Sequence, residues 1–135
     1  MLTQEPITSE KAAWMMNPLQ LAYIGDTVWD LLIRTKLIEK DYNVHKLHML
    51  ATAKVNAGAQ ATVLHMIHAL LTPQEEALVK RGRNAKAKHS PPKNQNPEDY
   101  SMATGLEALF GYLYLTGQYA RIEELFTYVI TKEEQ

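Results

Sequence analysis

The sequence predicts an all-α fold, a single helical bundle, and three observations support this prediction. Apolar residues recur at the three- and four-residue spacing of helices, as Leu21, Ile24, Val28 and Leu31 show. No stretch alternates polar and apolar residues in the way that a half-buried strand does. A chain of 135 residues of which 46% are hydrophobic holds enough apolar material for one core.

Capping residues set the boundaries of the first two predicted helices. Asn17 followed by Pro18 is a start signal, because a capping side chain precedes proline at the first helical position. The first long helix is therefore expected over residues 18–38. Asp41 or Asn43 can cap a second, alanine-rich helix over residues 44–71, which can bend near Asn56-Ala57-Gly58.

The second half of the chain is predicted to hold three more helices and one long loop. Residues 72–75, with the sequence TPQE, have capping-box spacing, which predicts a short helix ending near Arg81. Residues 82–98 contain three prolines and no apolar periodicity, so they are expected to form a loop. A further helix is predicted to begin at Asp99 or Ser101 and to end near Gly117. The last predicted helix covers residues 119–131.

Composition narrows the classes of function. A formal net charge of −1 means that no global field attracts a polyanion. The chain has no cysteine, which excludes disulfide scaffolds, thiolate zinc sites and cysteine nucleophiles. The first residues lack the basic and apolar regions of a secretory signal, and no apolar run approaches the roughly 20 residues of a membrane span. A cytoplasmic protein without a membrane segment is expected.

Each of two predicted helices carries one acid that stands close to a glycine among apolar and small residues. Asp26 follows Gly25 in LAYIGDTVWDLL, residues 21–32, and Glu107 is the only charged residue in ATGLEALFGYLYL, residues 103–115. Helices that are apolar nearly all round are typically central and buried, and a buried lone carboxylate is costly. Asp26 and Glu107 are therefore expected to be buried and to share a site.

Two interpretations of this pair of acids stay open. Arg34 or Lys54 could form a structural ion pair with a carboxylate. Alternatively, the two carboxylates could hold Mg²⁺, which often takes one or two protein carboxylates together with water and substrate phosphates. The histidine pairs His45/His48 and His65/His68 have a spacing that zinc could use, but no third ligand accompanies them at a recognised spacing.

Basic residues concentrate in one window of an otherwise balanced chain, since no acid occurs between Glu76 and Glu98. A solvated charge run is the ordinary explanation of such a window. The local character of the patch favours contacts to phosphates instead. The candidate phosphate-binding residues are Lys80, Arg81, Arg83, Lys86, Lys88 and Lys93.

Two motifs resemble the ribonuclease III family. LAYIGDTVWDLL resembles the family signature, whose core is an acid-containing run that ends in a Gly-Asp pair on a central helix. LEALFGYLYLTGQYARIEEL, residues 106–125, resembles the second acidic motif, Glu-Ala-Leu-x-Gly. The length and the run RGRNAKAKH, residues 81–89, are similar to the short Mini-ribonuclease III type, which has no double-stranded-RNA-binding domain. The resemblance covers about residues 14–132.

The resemblance implies a single ribonuclease III-like catalytic domain over residues 1–135 that cuts double-stranded RNA with Mg²⁺ and works as a homodimer. It implies maturation of the large-subunit (23S) ribosomal RNA precursor, with large-subunit ribosomal proteins as candidate partners. Asp26 matches the aspartate of the first motif and Glu107 the glutamate of the second, so both are implied to be catalytic and to ligate Mg²⁺. Lys54 joins the basic window as a candidate RNA contact.

Three positions depart from the family pattern. Leu19 and Ala22 stand where the first motif has glutamates, and Thr104 stands where the second motif has aspartate. Fewer protein ligands leave more of the metal shell to water and RNA phosphate. A catalytically inactive RNA-binding scaffold for ribosome assembly, with the same fold, is therefore the alternative function.

The first predicted helix has more apolar residues than one packing face can cover. Tyr23, Trp29 and Ile33 lie away from the stripe that contains Leu21 and Ile24. A small domain has limited interior in which to bury both sides of a helix. Some of these residues are therefore expected to pack against a second subunit.

Overall fold

The computed structural model describes residues 5–87 and 96–135, and within these ranges the chain is helical and contains no strand. The all-α prediction is confirmed. None of the described helices combines the length and the apolar character that crossing a membrane requires. The helices are α1 (Glu10–Trp14), α2 (Pro18–Ile38), α3 (Val44–Val55), α4 (Ala57–Ile67), α5 (Pro73–Ala87), α6 (Pro97–Leu115) and α7 (Tyr119–Glu133), with a 3-10 turn at His68–Leu70 after α4.

Helix α6 forms the centre of the bundle. From Met102 to Leu113 every one of its residues is buried except Glu107, which is half-buried. It packs mainly against α2, α4 and α5. Trp29 of α2 meets Phe110 edge to face with ring centroids 5.3 Å apart. Because helices pack against α6 on several sides, a side chain that α6 directs between two of them is held in a fixed position.

Two glycines bring the backbones of α2 and α6 into direct contact. A Cβ atom added at Gly25 would lie 1.6 Å from the carbonyl oxygen of Glu107, and one added at Gly111 would lie 1.9 Å from the carbonyl oxygen of Leu21. The helices are therefore antiparallel at this crossing, with Gly25 opposite Glu107 and Leu21 opposite Gly111. Only glycine permits an approach this close.

The contact of α5 with α6 corrects the prediction that residues 82–98 form a loop. Helix α5 continues to Ala87 instead of ending near Arg81. A Cβ atom at Gly82 would lie 3.0 Å from the Cβ of Ala108, so this glycine lies in the packed interface with α6. Packing against α6 outweighs the low helix propensity of glycine. Residues 88–95 of the predicted loop lie outside the described residues.

Other helix boundaries follow the capping side chains. The predicted starts at Asn17 and Asn43 are confirmed, because the side chain of each accepts a hydrogen bond from a first-turn N–H. The predicted helix over residues 44–71 is two helices, because Asn56 has extended backbone and caps α4. Helix α6 begins at Pro97 behind an Asn96 cap, not at Asp99 or Ser101. The short helix α1 was not predicted.

A largely buried ion pair ties α7 to the start of α5. The carboxylate of Glu75 accepts hydrogen bonds from Arg121 Nε and Nη2 at 3.0 and 2.8 Å and from the Thr72 N–H at 2.9 Å. Burial raises the pKa of the Glu75 carboxyl, but the hydrogen bonds from Arg121 and Thr72 outweigh it, so the pKa lies below its ordinary value of 4.5.

Acid should remove the stability that this pair contributes. A carboxyl whose pKa is lower in the folded state contributes stability that is present above its unfolded pKa and is lost as pH falls through the folded pKa. We expect Glu75→Gln to lower the free energy of unfolding by roughly 2 kcal/mol at pH 7. Urea unfolding at pH 7 and pH 3.5 checks this, since the difference from wild type should shrink at pH 3.5; a constant difference would contradict it.

Candidate active site

Asp26 and Glu107 lie on two helices whose backbones touch. Gly25, which directly precedes Asp26, packs against the carbonyl group of Glu107. The two acids therefore stand at the same level of the α2–α6 crossing, one on each helix. The two acidic motifs therefore lie side by side, and the site that they would share stays a prediction.

The prediction that Asp26 is buried is wrong, because its side chain is exposed. The buried face of α2 consists of Leu21, Ala22, Gly25, Trp29 and Ile33. One residue turns a helix by about 100°, so Gly25 against α6 directs Asp26 to the edge of the contact. There the carboxylate keeps its hydration, and it makes no hydrogen bond or ion pair with the described residues.

The two cations proposed as partners of the acids are engaged elsewhere. Arg34 Nε lies 2.8 Å from Asp30 Oδ1 on the same helix. Lys54 Nζ lies 2.9 Å from Glu133 Oε2 of α7. Among the described residues, therefore, neither Arg34 nor Lys54 forms the predicted ion pair with Asp26. Since Lys54 is bound to α7, its predicted RNA contact would require it to leave Glu133.

The positions at which the family pattern has further acids supply no carboxylate here. Ala22 is buried, and Leu19 is half-buried. Thr104 is buried as well, and its hydroxyl donates to the Tyr100 carbonyl in its own helix at 3.0 Å. Across residues 5–87 and 96–135 no group of three or more His, Asp or Glu residues is arranged to hold a metal. Within the described residues, the acids that the two motifs bring to the crossing are Asp26 and Glu107.

The structure divides the basic window into parts with different surroundings. Lys80 and Arg83 are exposed and line a cleft between α4, α5 and α6. Arg81 instead donates to the carbonyls of Trp14 and Met16 at 2.8 and 3.3 Å and lies over the Trp14 ring, 5.0 Å from its centroid. It anchors the end of α1 to α5, a role that the charge pattern did not indicate. The side chain of Lys86, and Lys88 and Lys93, lie outside the described part of the chain.

The surplus apolar residues of α2 are arranged differently from the prediction. Trp29 and Ile33 are buried in the core, so they are not available to a second subunit. Leu31 of the predicted inward stripe is 55% exposed, and Tyr23 is 83% exposed. Because the close glycine contact fixes which side of α2 faces α6, the apolar residues on the opposite side are left at the surface.

Comparisons with known proteins agree with these features. The model of the ribonuclease III domain family matches residues 19–118. A Mini-ribonuclease 3 of Symbiobacterium thermophilum is 48% identical over 111 residues, 82% of this chain and 85% of that protein. A Mini-ribonuclease 3 of Enterococcus faecalis is 43% identical over 120 residues, 87% of this chain and 90% of that protein.

A solved structure extends the agreement to three dimensions. The crystal structure of a Fusobacterium nucleatum protein superposes with a TM-score of 0.80 at 31% identity, covering 88% of this chain and 95% of that chain. The family match includes both Asp26 and Glu107. The chain belongs to the ribonuclease III family and is an endoribonuclease.

Proposed function

We propose that this protein is a magnesium-dependent endoribonuclease that hydrolyses double-stranded RNA at Asp26 and Glu107 and leaves 5′-phosphate and 3′-hydroxyl ends. The observation that supports this most is the contact between Gly25 and the Glu107 carbonyl, which joins the two acidic motifs of the family at one place. Both acids are accessible to solvent at least in part, as residues that touch a large substrate must be.

The donor set fits Mg²⁺. This hard cation prefers oxygen ligands and is commonly held by one or two carboxylates, with water and phosphate completing its shell. Asp26 and Glu107 would hold the ion between α2 and α6. When bound, the ion supplies Lewis-acid stabilisation of the phosphodiester and an activated water. The absence of carboxylates at Ala22 and Thr104 leaves the remaining positions to water and RNA oxygens.

The chain's own residues bind and orient the RNA. Asp26, exposed at the edge of the crossing, accepts a hydrogen bond from the attacking water and directs it in line with the scissile bond. Double-stranded RNA presents phosphates and 2′-hydroxyls, so shape and backbone charge dominate its recognition. The basic window and Lys54 are the proposed phosphate contacts, with Arg81 restricted by its bonds to Trp14 and Met16.

The biological substrate proposed is the 23S ribosomal RNA precursor, cut in the cytoplasm and presented by large-subunit ribosomal proteins. The resemblance to Mini-ribonuclease III and the relatives of that name support this. The alternative is an inactive ribosome-assembly scaffold with the same fold, favoured by Leu19, Ala22 and Thr104. An exposed Asp26 that has no partner among the described residues gives such a scaffold no evident benefit.

One assay separates the nuclease from the scaffold. The protein is incubated with a long RNA duplex and with its separated strands, in Mg²⁺ and in EDTA. We expect internal cuts in the duplex in Mg²⁺ only, with 5′-phosphate ends, and little cutting of the single strands. Binding of the duplex without any cut in Mg²⁺ would favour the scaffold.

A homodimer is part of the proposal. Tyr23, Leu31 and Ile38 of α2 are exposed on the side away from α6. Large apolar side chains exposed along one side of a helix are candidate contacts for a protein partner. A twofold dimer would bury this surface against itself and supply a second pair of acids for the antiparallel strand. Each of the two pairs of acids would then cut one strand of the duplex.

Mixed dimers test this arrangement. A dimer of one wild-type chain and one Asp26→Asn chain, isolated through two different affinity tags, should nick one strand of a duplex and leave the other intact. Denaturing gels of a duplex labelled differently on each strand measure this, with the wild-type dimer carrying both tags as the control. A mixed dimer that cuts both strands, or a wild-type monomer in equilibrium sedimentation, would contradict the dimer.

A further inference from the structure

A cleft of about 830 Å³ opens between α4, α5 and the first two turns of α6. Neither Asp26 nor Glu107 lines it. Its walls include four buried apolar residues from three helical segments and from the turn that follows α4. These residues are Leu64, Leu71, Val79 and Met102.

The polar residues of the cleft carry charges of both signs. Lys80 and Arg83 lie three residues apart on α5, are exposed, and present two cations to the same opening. Glu76 Oε1 lies 3.5 Å from His68 Nε2. Glu98 lines the cleft from the first turn of α6. A purely anionic ligand would meet these two carboxylates. A ligand with a phosphate and with amine donors would use both the cations and the acids.

An aromatic ring completes the lining. Tyr100, in the first turns of α6, is half-buried in the wall of the cleft. Bases stack on such rings in a manner that tolerates any sequence. An apolar wall with an aromatic ring, two cations and a carboxylate matches the parts of one nucleotide, which are a flat base, a phosphate and exocyclic amines.

The size of the cleft excludes a duplex and admits a small group. Ligand pockets for single small molecules measure about 300–1,000 Å³, so the cleft can take one nucleotide turned out of a helix. Proteins generally recognise unpaired RNA bases by splaying them out and stacking them. Met102 and Glu107 are five positions apart on α6, a rise of about 7.5 Å and a rotation of about 140° around the helix axis. An RNA that contacts both the cleft and the acids therefore passes from one side of α6 to another, a path that a duplex with an unpaired flank can follow.

We propose that this cleft binds an unpaired nucleotide that flanks the duplex cut at Asp26 and Glu107. The proposal rests on the proposed function, because the nucleotide is defined by its position next to the duplex that Asp26 and Glu107 cut. Arg83 and Lys80 bind the phosphate, Tyr100 stacks on the base, and Glu98 accepts hydrogen bonds from amine groups on the base edge. The protein then prefers RNAs in which a paired stem meets a single strand.

The test compares three RNAs that share one duplex and differ only in their ends: blunt, with a 5′ unpaired flank, or with a 3′ unpaired flank. Each flank carries 2-aminopurine, whose fluorescence falls on stacking. Affinities are measured in Mg²⁺ with the Asp26→Asn protein, so that the RNA stays intact. We expect one flanked RNA to bind about tenfold more tightly than the blunt duplex, with its fluorescence quenched.

Variants locate the effect. Tyr100→Leu, which removes the ring and keeps the bulk, should remove the preference and leave blunt binding unchanged. A Lys80→Gln/Arg83→Gln double variant also loses two proposed phosphate contacts to the duplex, so it should weaken binding of all three RNAs and weaken the preferred flanked RNA most. Lys40→Gln, an exposed lysine beyond the end of α2, is the control and should keep the preference. Equal affinities for all three RNAs, without quenching, would overturn the inference and leave the proposed function standing. Failure to bind any of the RNAs would overturn both.

Discussion

Asp26→Asn and Glu107→Gln are each expected to lower the single-turnover rate of duplex cleavage by on the order of a thousandfold or more. Each substitution keeps the size and shape of the side chain and removes the negative charge that attracts a cation. For Asp26 the fold should hardly change, because its carboxylate is exposed and unpaired among the described residues. Rates at saturating RNA and urea unfolding curves measure the two effects separately.

Asp30→Asn is the matched control for Asp26. It neutralises an acid one turn further along α2, where the carboxylate pairs with Arg34. Surface changes of this kind usually alter stability by less than about 0.5 kcal/mol, so the rate of cleavage should remain near that of wild type. If Asp26→Asn and Glu107→Gln cut RNA normally, the reaction takes place elsewhere. If either unfolds, the acid has a structural role.

Gly25→Ala should be among the most damaging single-methyl changes in this protein. The new Cβ would lie 1.6 Å from the Glu107 carbonyl oxygen and 2.8 Å from the Gly111 nitrogen. Because both obstacles are backbone atoms of the central helix, no side-chain rotation relieves the clash. We expect a loss of about 3 kcal/mol or more in the free energy of unfolding, measured in urea. Cleavage should fall too, since separating α2 from α6 separates the two acids.

Gly58→Ala is the control for this prediction. Gly58 is exposed near the start of α4, and the nearest atom to an added Cβ lies 3.5 Å away, at ordinary contact distance. Alanine in a helix is favoured over glycine by up to about 1 kcal/mol, so Gly58→Ala should be neutral or stabilising. Equal stability of Gly25→Ala and Gly58→Ala would contradict the backbone contact between α2 and α6.

Local signals explain why much of the fold was predictable. A cap such as Asn17 bonds N–H groups of the next few residues. Those residues are its neighbours in the chain, so the interaction does not depend on how the rest of the chain folds. The starts of α2 and α3 were therefore predicted correctly. The close approach of the two acidic motifs was predictable for a different reason. Each acid stands near a glycine on an apolar helix, and glycines on such helices permit close packing.

Features that depend on a distant partner were not predictable in this way. The sequence shows apolar residues on most sides of α2, and only the glycine contact with α6 determines that Trp29 is buried while Leu31 is exposed. The exposure of Asp26 follows from the same contact. The extension of α5 through Gly82 depends on Ala108, and the role of Arg81 depends on carbonyls of α1. These partners lie from 26 residues away in the chain, for Gly82 and Ala108, to 82 residues away, for Gly25 and Glu107.

Direct measurement of metal binding tests the central claim, that Asp26 and Glu107 together hold the ion that the reaction needs. Mn²⁺ prefers the same oxygen ligands as Mg²⁺, and its uptake is followed through the loss of the free-ion paramagnetic resonance signal. Wild type and Asp30→Asn should bind the ion with equal affinity. Asp26→Asn and Glu107→Gln should each weaken binding about tenfold or more. Equal binding by all four proteins, or a loss in only one of the two site variants, would contradict a site shared between α2 and α6.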